Sequence, residues 1–391
     1  MPTPPGGSHG PLLLPFAGLR YVEAVTGPLG ALVAPPHTDL GPALRAARLS
    51  SSPYTVTHLE RPEHSPGDGP AVQRWLADGA LAEDEPGYYV VRQRREDGRE
   101  HRFLLASLIV GPETDTRVHP HESVIPEAVA SRAERLQATG VDSEPVLLVD
   151  EAGGHTARLV ASAEEVGTHV ASGRTTAASP ITLDVWHLAD PAVVEGITLD
   201  MGRHDLLIAD GHHRFAAVRQ LARDTGVPER LLAAVSDQRT WPLELVSLHR
   251  VAPVEAWDTL LEAATAAQDC DPEPTAVLTT LRGLPDPWIV LVADGRATTL
   301  RTDPTLAPGA GAGAWVDAVL TRAGIDDRKV RYEPDATAAL TRRGAETLGA
   351  LIPRPTLADL RSVVDHGGHM GRKTTSFRPK PLAGAVLRRR R

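Results

Sequence analysis

The chain of 391 residues contains a single cysteine, Cys270. One cysteine cannot form an internal disulfide, so the sequence excludes a small secreted scaffold held together by disulfides. It also excludes a zinc or iron–sulfur site built from several cysteines. No catalytic signature surrounds Cys270, and we interpret it as a small residue of the packed interior.

Positive charge is also scarce. The chain has 41 basic and 50 acidic residues, a formal net charge of −9, whereas nucleic-acid-binding surfaces are usually basic. No apolar run reaches the roughly 18–20 residues of a membrane span. The first residues lack the basic and long apolar regions of a signal peptide. We therefore expect a cytoplasmic protein without a membrane segment or a nucleic-acid partner; the composition leaves the oligomeric state open.

Aromatic residues are few, with six Trp, five Tyr and four Phe, so the core is expected to consist mainly of Leu, Val and Ala. Two hairpins are predicted around Gly-containing turns, at 88–110 and 288–301. Helices are predicted at 126–139 and 212–226, with further helical segments at 254–268 and 335–350. This order of elements favours an α+β fold with mixed or antiparallel sheets and packed helices.

The domain prediction follows shifts in composition. It divides the chain into a disordered N-terminus (1–10), a core with the anion site (11–253), a smaller α+β region (254–352) and a C-terminal segment that returns to the site (353–391). Within these parts, the Gly-rich stretch at 308–315 is predicted to be a flexible connector. The final four arginines are predicted to be a solvated basic tail.

Several well-known motifs are missing from the sequence. There is no G-x-x-x-x-G-K-[ST] loop, no G-x-G-x-x-G after a strand, no G-x-S-x-G and no H-E-x-x-H. Their absence argues against a P-loop ATPase, a Rossmann dehydrogenase, an α/β-hydrolase and a zincin.

The most informative motif is Asp-Gly-His-His-Arg at 210–214, between an apolar strand and an amphipathic helix. The first turn of a helix presents N–H groups and a partial positive charge, which favour an anion. Gly211 allows close backbone approach, Arg214 offers a bidentate fork, and His212 and His213 can donate hydrogen bonds or move protons. Asp210 can accept from a hydroxyl, cap the helix or bind Mg²⁺. The alternative is that Asp210 only caps the helix and the histidines lie on the surface.

A second polar segment, Arg-Val-His-Pro-His-Glu at 117–122, precedes the helix that carries Arg132. Glu122 can take a proton from a substrate hydroxyl, with His121 assisting. The spacing of His119, His121 and Glu122 is not diagnostic of a metal site, so we predict no metal there. The alternative is a polar loop that caps the following helix.

A third polar segment runs from His366 to Phe377 and combines flexible glycines with Arg372, Lys373 and Thr374. Such a stretch can close over a phosphate or a carboxylate. The alternative is a solvated tail without a ligand.

Taken in order, these segments resemble the domain-of-unknown-function family 1015 (DUF1015). The matching pieces are Pro15 to Tyr21, Val33 to Pro36, Ser52 to Tyr54, Pro120 to Glu122 followed by Arg132, Ile208 to Phe215, His249-Arg250, and Lys373 to Phe377 with Pro379-Lys380. The family helix usually continues as Tyr-Glu-Thr-Ala, whereas Phe215 to Val218 stand here. Loss of that glutamate removes a polar group beside the site and implies a diverged substrate preference.

The 210–214 motif also resembles the helix-start motif of the ParB/sulfiredoxin superfamily, over about 15 residues. That resemblance implies a ParB/sulfiredoxin-like nucleotide-binding core, with phosphates held at the start of the helix. Members of the superfamily include free serine kinases, which use nucleotides.

The leading hypothesis is a nucleotide-dependent phosphotransferase, similar to free serine kinase, that acts on a small hydroxyl-bearing metabolite with ATP or ADP and Mg²⁺. Its assigned residues are, for catalysis, Glu122, His121 and Asp210; for the nucleotide phosphates, Gly211, His212, His213 and Arg214; for the substrate, Arg132, Arg372, Lys373 and Thr374. Two alternatives stay open: a non-catalytic nucleotide or metabolite regulator, and a phosphatase or hydrolase of small phosphorylated metabolites. Arg214 is expected to lie off the packed stripe of its helix, so its loss should cost little stability.

Overall fold

The computed structural model describes residues 10–36, 41–60, 71–112, 114–177, 179–285, 287–307, 311–371 and 374–390. The chain divides into two compact units. The first unit comprises Met1–His119, Val124–Leu243 and Pro379–Arg391, and the second comprises Pro120–Ser123 and Glu244–Arg378. Both units are built from non-contiguous parts of the chain.

Both units combine helices and sheets, as the sequence predicts. The strands are β1 (Leu13–Leu14), β2 (Gly18–Tyr21), β3 (Leu81–Glu83), β4 (Tyr88–Arg95), β5 (Glu100–Val110), β6 (Val118–His119), β7 (Val141–Asp142), β8 (Val146–Asp150), β9 (Thr168–Arg174), β10 (Ile181–Leu188), β11 (Leu206–Asp210), β12 (Glu229–Asp237), β13 (Glu244–Ser247), β14 (His249–Pro253), β15 (Ala266–Cys270), β16 (Trp288–Ala293), β17 (Arg296–Arg301), β18 (Arg331–Glu333), β19 (Thr347–Leu351), β20 (Thr375–Arg378) and β21 (Leu387–Arg389).

The α-helices vary from single turns to 14 residues. They are α1 (Glu23–Thr26), α2 (Leu29–Leu32), α3 (Pro42–Ser51), α4 (Thr57–Glu60), α5 (Ala71–Ala77), α6 (Pro126–Thr139), α7 (His155–Ala161), α8 (Ala163–Val166), α9 (Pro191–Met201), α10 (His212–Thr225), α11 (Trp257–Ala263), α12 (Pro274–Gly283), α13 (Gly311–Arg322), α14 (Ala336–Thr341) and α15 (Leu357–Asp365). Short 3₁₀ turns occur at Val254–Ala256 and Asp327–Lys329.

The first unit is organised around a nine-stranded mixed sheet with the order β6-β11-β8-β12-β5-β4-β10-β9, and β1 pairs with β5. The pairs β6–β11 and β8–β12 are parallel, and the other pairs are antiparallel. The inward faces of these strands and of α10 bury one apolar cluster. Because α10 packs on this cluster through Phe215 and Val218, the strand β11 and the helix that follows it are held firmly against the sheet.

A four-stranded antiparallel sheet with the order β3-β2-β21-β7 completes the first unit. The strand β21 contains three of the last five residues of the chain, so the predicted solvated tail is wrong. Arg388 donates to the Oδ2 of buried Asp142 at 2.8 Å, and Arg390 donates to its Oδ1 at 3.1 Å. A buried carboxylate is costly unless it is paired, and these arginines supply the pairing.

The second unit contains a six-stranded antiparallel sheet with the order β15-β17-β16-β19-β14-β18, and a separate ribbon of β13 and β20. Its two apolar clusters lie on opposite faces of the larger sheet. One cluster contains Trp315 and Val316 of α13, and the other contains Val277 of α12.

The local predictions agree with the structure where turn or cap signals are strong. Both hairpins form, and the second turns at Asp294 and Gly295, whose φ angles are 42° and 68°. The helix α6 begins at Pro126 and ends before Gly140, which is left-handed as predicted.

Three local predictions are wrong, because long-range packing overrides local propensity. Residues 266–270 form the strand β15 on the edge of the second unit's sheet instead of continuing a helix. Residues 347–351 form the central strand β19 instead of a helix. Within the predicted connector, α13 begins at Gly311, because its apolar residues pack into the core; residues 308–310 lie outside the described part.

The observed division also differs from the predicted domains. The second unit begins at Glu244 rather than at 254, and residues 353–378 belong to it, so that only Pro379–Arg391 of the C-terminal segment joins the first unit. Of the N-terminus predicted to be disordered, residues 1–9 lie outside the described part of the chain.

Candidate functional site

The motif at 210–214 joins β11 to α10 through a single glycine. Gly211 has a φ of 96° and a ψ of 23°, in the left-handed region, and it occupies the N-cap position. No side chain of the described residues caps the helix there. The first turn of a 14-residue helix is therefore presented directly after a buried strand, which is the geometry that favours an anion.

Substitution of Gly211 tests this turn. A Cβ at this position would lie 2.9 Å from Val146 Cγ1 and 3.0 Å from Arg214 Nη2, besides requiring a left-handed L-residue. We expect Gly211→Ala to cost about 1–3 kcal/mol in the free energy of unfolding. Urea denaturation measures this cost, with Gly226→Ala, at the exposed left-handed end of the same helix, as the control for φ alone. Equal losses in the two variants would show that close packing at Gly211 contributes nothing.

Asp210 is held between two cations and does not cap the helix. Its Oδ1 lies 2.6 Å from the Nζ of Lys380, and its Oδ2 lies 3.0 Å from the Nη2 of Arg214. The Lys380 side chain is nearly buried, at 10% exposure. The sequence analysis assigned no role to Lys380, although it lies in the Pro-Lys pair of the family resemblance; its separation of 170 residues from Asp210 hides the contact.

Gln93 of β4 positions the segment around Lys380. Its Nε2 donates to the carbonyl oxygen of Lys380 at 3.1 Å, and its Oε1 accepts from the N–H of Leu382 at 2.7 Å. Gln93 is itself buried. The lysine is therefore carried by a backbone segment that is fixed to the central sheet.

Arg214 does not lie off the packed stripe of α10, as the sequence analysis expected. It is 7% exposed, and its Nη1 donates to the carbonyl oxygens of Glu144 and Pro145 at 2.5 and 2.8 Å. Its Nη2 contacts Asp210 and the Oε1 of Glu144, each at 3.0 Å. The guanidinium fork is thus occupied by the protein's own acceptors, and we assign Arg214 the role of positioning the motif.

The two histidines of the motif occupy different environments. His212 is buried, and His213 is partly exposed. The Nε2 of His213 accepts from the N–H of Ile125 at 3.2 Å, so this nitrogen carries a lone pair and the ring can be neutral. The interpretation of both histidines as surface residues is therefore wrong for His212.

A buried charged cluster lies behind the motif. Glu60, Arg132, Arg135, Glu144 and Arg214 line one small cavity of the first unit. Burial, together with the charge of Glu144, raises the pKa of Glu60 to about 8. Burial, followed by the charges of Arg214 and Arg135, lowers the pKa of Arg132 to about 10. The structure thus brings Arg132 close to Arg214, and it adds Glu60, which sequence reasoning missed because a lone carboxylate in Thr-His-Leu-Glu carries no signature.

The second unit contains the other group of predicted residues. His121 is 2% exposed, packs edge-to-face on Phe377 at 5.8 Å between ring centroids, and has its Nε2 3.4 Å from Thr375 Oγ1. Its carbonyl oxygen accepts from Met370 N–H at 2.7 Å, and the partly exposed Glu122 forms an isolated bridge with Met370. The second and third polar segments of the sequence therefore meet.

Three predicted substrate residues belong to that third segment. The Thr374 side chain is buried, and its hydroxyl donates to the carbonyl oxygen of Gly371 at 2.5 Å. Arg372 and Lys373 lie outside the described residues.

Neither a metal cluster nor a membrane span is found in the part of the chain that is described. No group of three or more His, Cys, Asp or Glu residues is arranged there to hold a metal ion. No described helix has the length and apolar character needed to cross a bilayer.

Comparison with known proteins begins with the family model for DUF1015, a protein of unknown function, which matches residues 13–316. The chain belongs to this family. The resemblance stated from the motifs is therefore confirmed over most of the DUF1015 chain. No curated protein matches it.

Solved structures similar to this DUF1015 protein include free serine kinase in complex with AMP, at 15% identity and a TM-score of 0.43, covering 73% of this chain and 91% of that one. A conserved hypothetical protein from Pyrococcus furiosus has 14% identity and a TM-score of 0.40, with coverage of 73% and 95%. C-terminally truncated SbnI from Staphylococcus aureus has 12% identity and a TM-score of 0.39, with coverage of 71% and 85%.

Proposed function

We propose that this DUF1015 protein is a nucleotide-dependent phosphotransferase that phosphorylates a hydroxyl group of a small metabolite. The observation that carries the proposal is the start of α10, where a left-handed glycine and a nearly buried lysine stand together at a helix without a side-chain cap. Main-chain N–H groups, the helix dipole and a lysine are a recurring set of partners for phosphate groups.

In this proposal the nucleotide phosphates bind at Gly211 to His213, with the Lys380 ammonium group as the cation beside them. Asp210 holds Lys380 in place, while Arg214 ties Asp210 to Glu144. Phosphoryl transfer requires mainly positioning and neutralisation of charge, and a motif anchored on both sides supplies the positioning.

Glu122 is the proposed general base. It takes the proton from the substrate hydroxyl as the new oxygen–phosphorus bond forms, and the nucleotide leaves with the electrons of the broken phosphorus–oxygen bond. The buried His121 next to it fixes the segment on Phe377 and Thr375. Arg132 is the proposed partner of the substrate's own anionic group.

ATP or ADP would bring Mg²⁺ as its counterion, which neutralises phosphate charge. Both oxygens of Asp210 already have cationic partners, so this carboxylate does not fit the role of a direct Mg²⁺ ligand. No step is therefore assigned to a protein-bound metal.

Calorimetric titration with ADP and ATP, each with Mg²⁺, tests the binding site. We expect binding in the wild type and a loss of about tenfold to a hundredfold in affinity for Lys380→Met, because a charge-assisted contact is worth roughly 1.5–3 kcal/mol. Lys329→Met is the matched control, since Lys329 is exposed in the second unit. Absence of nucleotide binding at millimolar concentration, or equal affinities for the two variants, would refute the proposal.

Product analysis with a panel of hydroxyl-bearing metabolites tests the chemistry. Glu122→Gln should abolish turnover and leave nucleotide affinity unchanged, because the amide cannot accept the proton. Tight nucleotide binding without any product would instead identify a regulator. Release of inorganic phosphate from phosphorylated metabolites without nucleotide would identify a phosphatase.

A further inference from the structure

Glu60 is an unusual residue in the interior of the first unit. Its side chain ends the helix α4 and is 3% exposed, yet neither carboxyl oxygen has a hydrogen-bond partner among the described residues. The same holds for the hydroxyl of Tyr21 and for the Nε of Arg48, whose charges interact with Glu60. Buried polar atoms are nearly always hydrogen-bonded, so several such atoms in one place indicate a missing partner.

The charges that face Glu60 come from several elements. They belong to Tyr21 of β2, Arg48 of α3, Arg132 and Arg135 of α6, Glu144 in the turn before β8, and Arg214 of α10. The cavity beside Glu60 is lined by three of these arginines and by two carboxylates, Asp142 and Glu144. Asp142 is already paired with Arg388 and Arg390, and Glu144 with Arg214, so the lining favours a further negative charge.

We propose that this cavity binds one anionic oxygen group, a carboxylate or a phosphoryl group of a small ligand, between the Glu60 carboxyl group and the surrounding arginines. Arg132 is also the proposed substrate residue, so the inference deepens the proposed function and rests on it for the natural ligand. A protonated carboxyl group donates to such an oxygen, whereas an ionised one repels it. Because the pKa of Glu60 is raised to about 8, the donating form prevails at neutral pH.

The test is calorimetric titration without nucleotide at pH 6.5 and pH 9, using sulfate, which stays a dianion throughout, and acetate. We expect wild-type protein to bind at pH 6.5 and to bind at least tenfold more weakly at pH 9. Preference for acetate would indicate a carboxylate ligand, and preference for sulfate would indicate a phosphoryl ligand. No binding of either anion would overturn the proposal and leave water as the occupant.

Variants locate the binding in this cavity. Glu60→Gln keeps a neutral donor, so binding should persist and lose its pH dependence, while Arg132→Met should weaken it at least tenfold. Glu134→Gln, an exposed position on the same helix as Arg132, should match the wild type. Thermal melting of each variant confirms folding. An unchanged pH dependence in Glu60→Gln, or wild-type affinity in Arg132→Met, would place the anion elsewhere.

The two proposals fail separately. Sulfate also suits the start of α10, so Lys380→Met should lower nucleotide affinity while leaving the pH-dependent anion binding intact. Nucleotide-dependent turnover without this anion binding would refute the inference alone. Anion binding without any effect of nucleotide would refute the proposed phosphotransferase alone.

Discussion

Replacing Arg214 with alanine is expected to lower the free energy of unfolding by about 3–5 kcal/mol, because removing one partner of a buried ion pair leaves its acids uncompensated. The arginine contacts Asp210, the carboxylate of Glu144 and two carbonyl oxygens. All of these acceptors would lose a charged donor at once. Urea denaturation at neutral pH measures the loss.

The control for this experiment is Arg223→Ala on the same helix. Arg223 is exposed and pairs with Asp115 at 3.1 Å, a surface contact worth about 0–1 kcal/mol. If Arg214→Ala unfolded at the same urea concentration as Arg223→Ala, the guanidinium would be dispensable for the fold. It would then be available to a ligand, as the helical pattern of the sequence first suggested.

Glu60→Gln is expected to change how stability depends on pH. The pKa of this carboxyl group is raised to about 8 in the folded protein, against about 4.5 for an ordinary glutamate. A raised folded-state pKa gives stability that is complete below the unfolded pKa and is lost as the pH rises through the folded one. The wild type should therefore lose stability between about pH 4.5 and 8, on the order of a few kcal/mol in total.

The glutamine side chain does not titrate, so Glu60→Gln should escape this loss. Relative to the wild type, the variant should gain stability from pH 5 to pH 9, as measured by urea denaturation at pH 5, 7 and 9. Glu134→Gln, an exposed carboxylate on α6, should follow the wild-type curve at each pH. Parallel curves for Glu60→Gln and the wild type would show that Glu60 is ionised in the folded protein.

The parts of the fold that sequence could predict are those decided by neighbouring residues. Pro126 and Gly140 delimit α6, and Asp294 with Gly295 turns a hairpin, because caps and tight turns depend on a few adjacent side chains. The segment 335–350 could not be predicted in the same way. Its second half is a strand only because β14 and β16 lie on either side of it.

The candidate site shows the same division. The strand–glycine–helix geometry around Gly211 follows from local residues, and the sequence predicted it. The partners of that motif did not, because Lys380 and Glu144 are 170 and 66 residues away from Asp210 and Arg214 along the chain is surrounded by them only after folding. A helical pattern shows which residues share a face, but not whether a polar face meets buried acceptors.

The place of β21 in the first unit has a consequence for how the protein matures in the cell. This strand lies between β2, near the start of the chain, and β7, and its arginines neutralise Asp142. During translation, the early residues must wait until the whole second unit and the last codons have been read before that sheet can close. A nascent chain truncated near its end would therefore expose an unfilled sheet position and an unpaired acid, which are features that chaperones and proteases act upon.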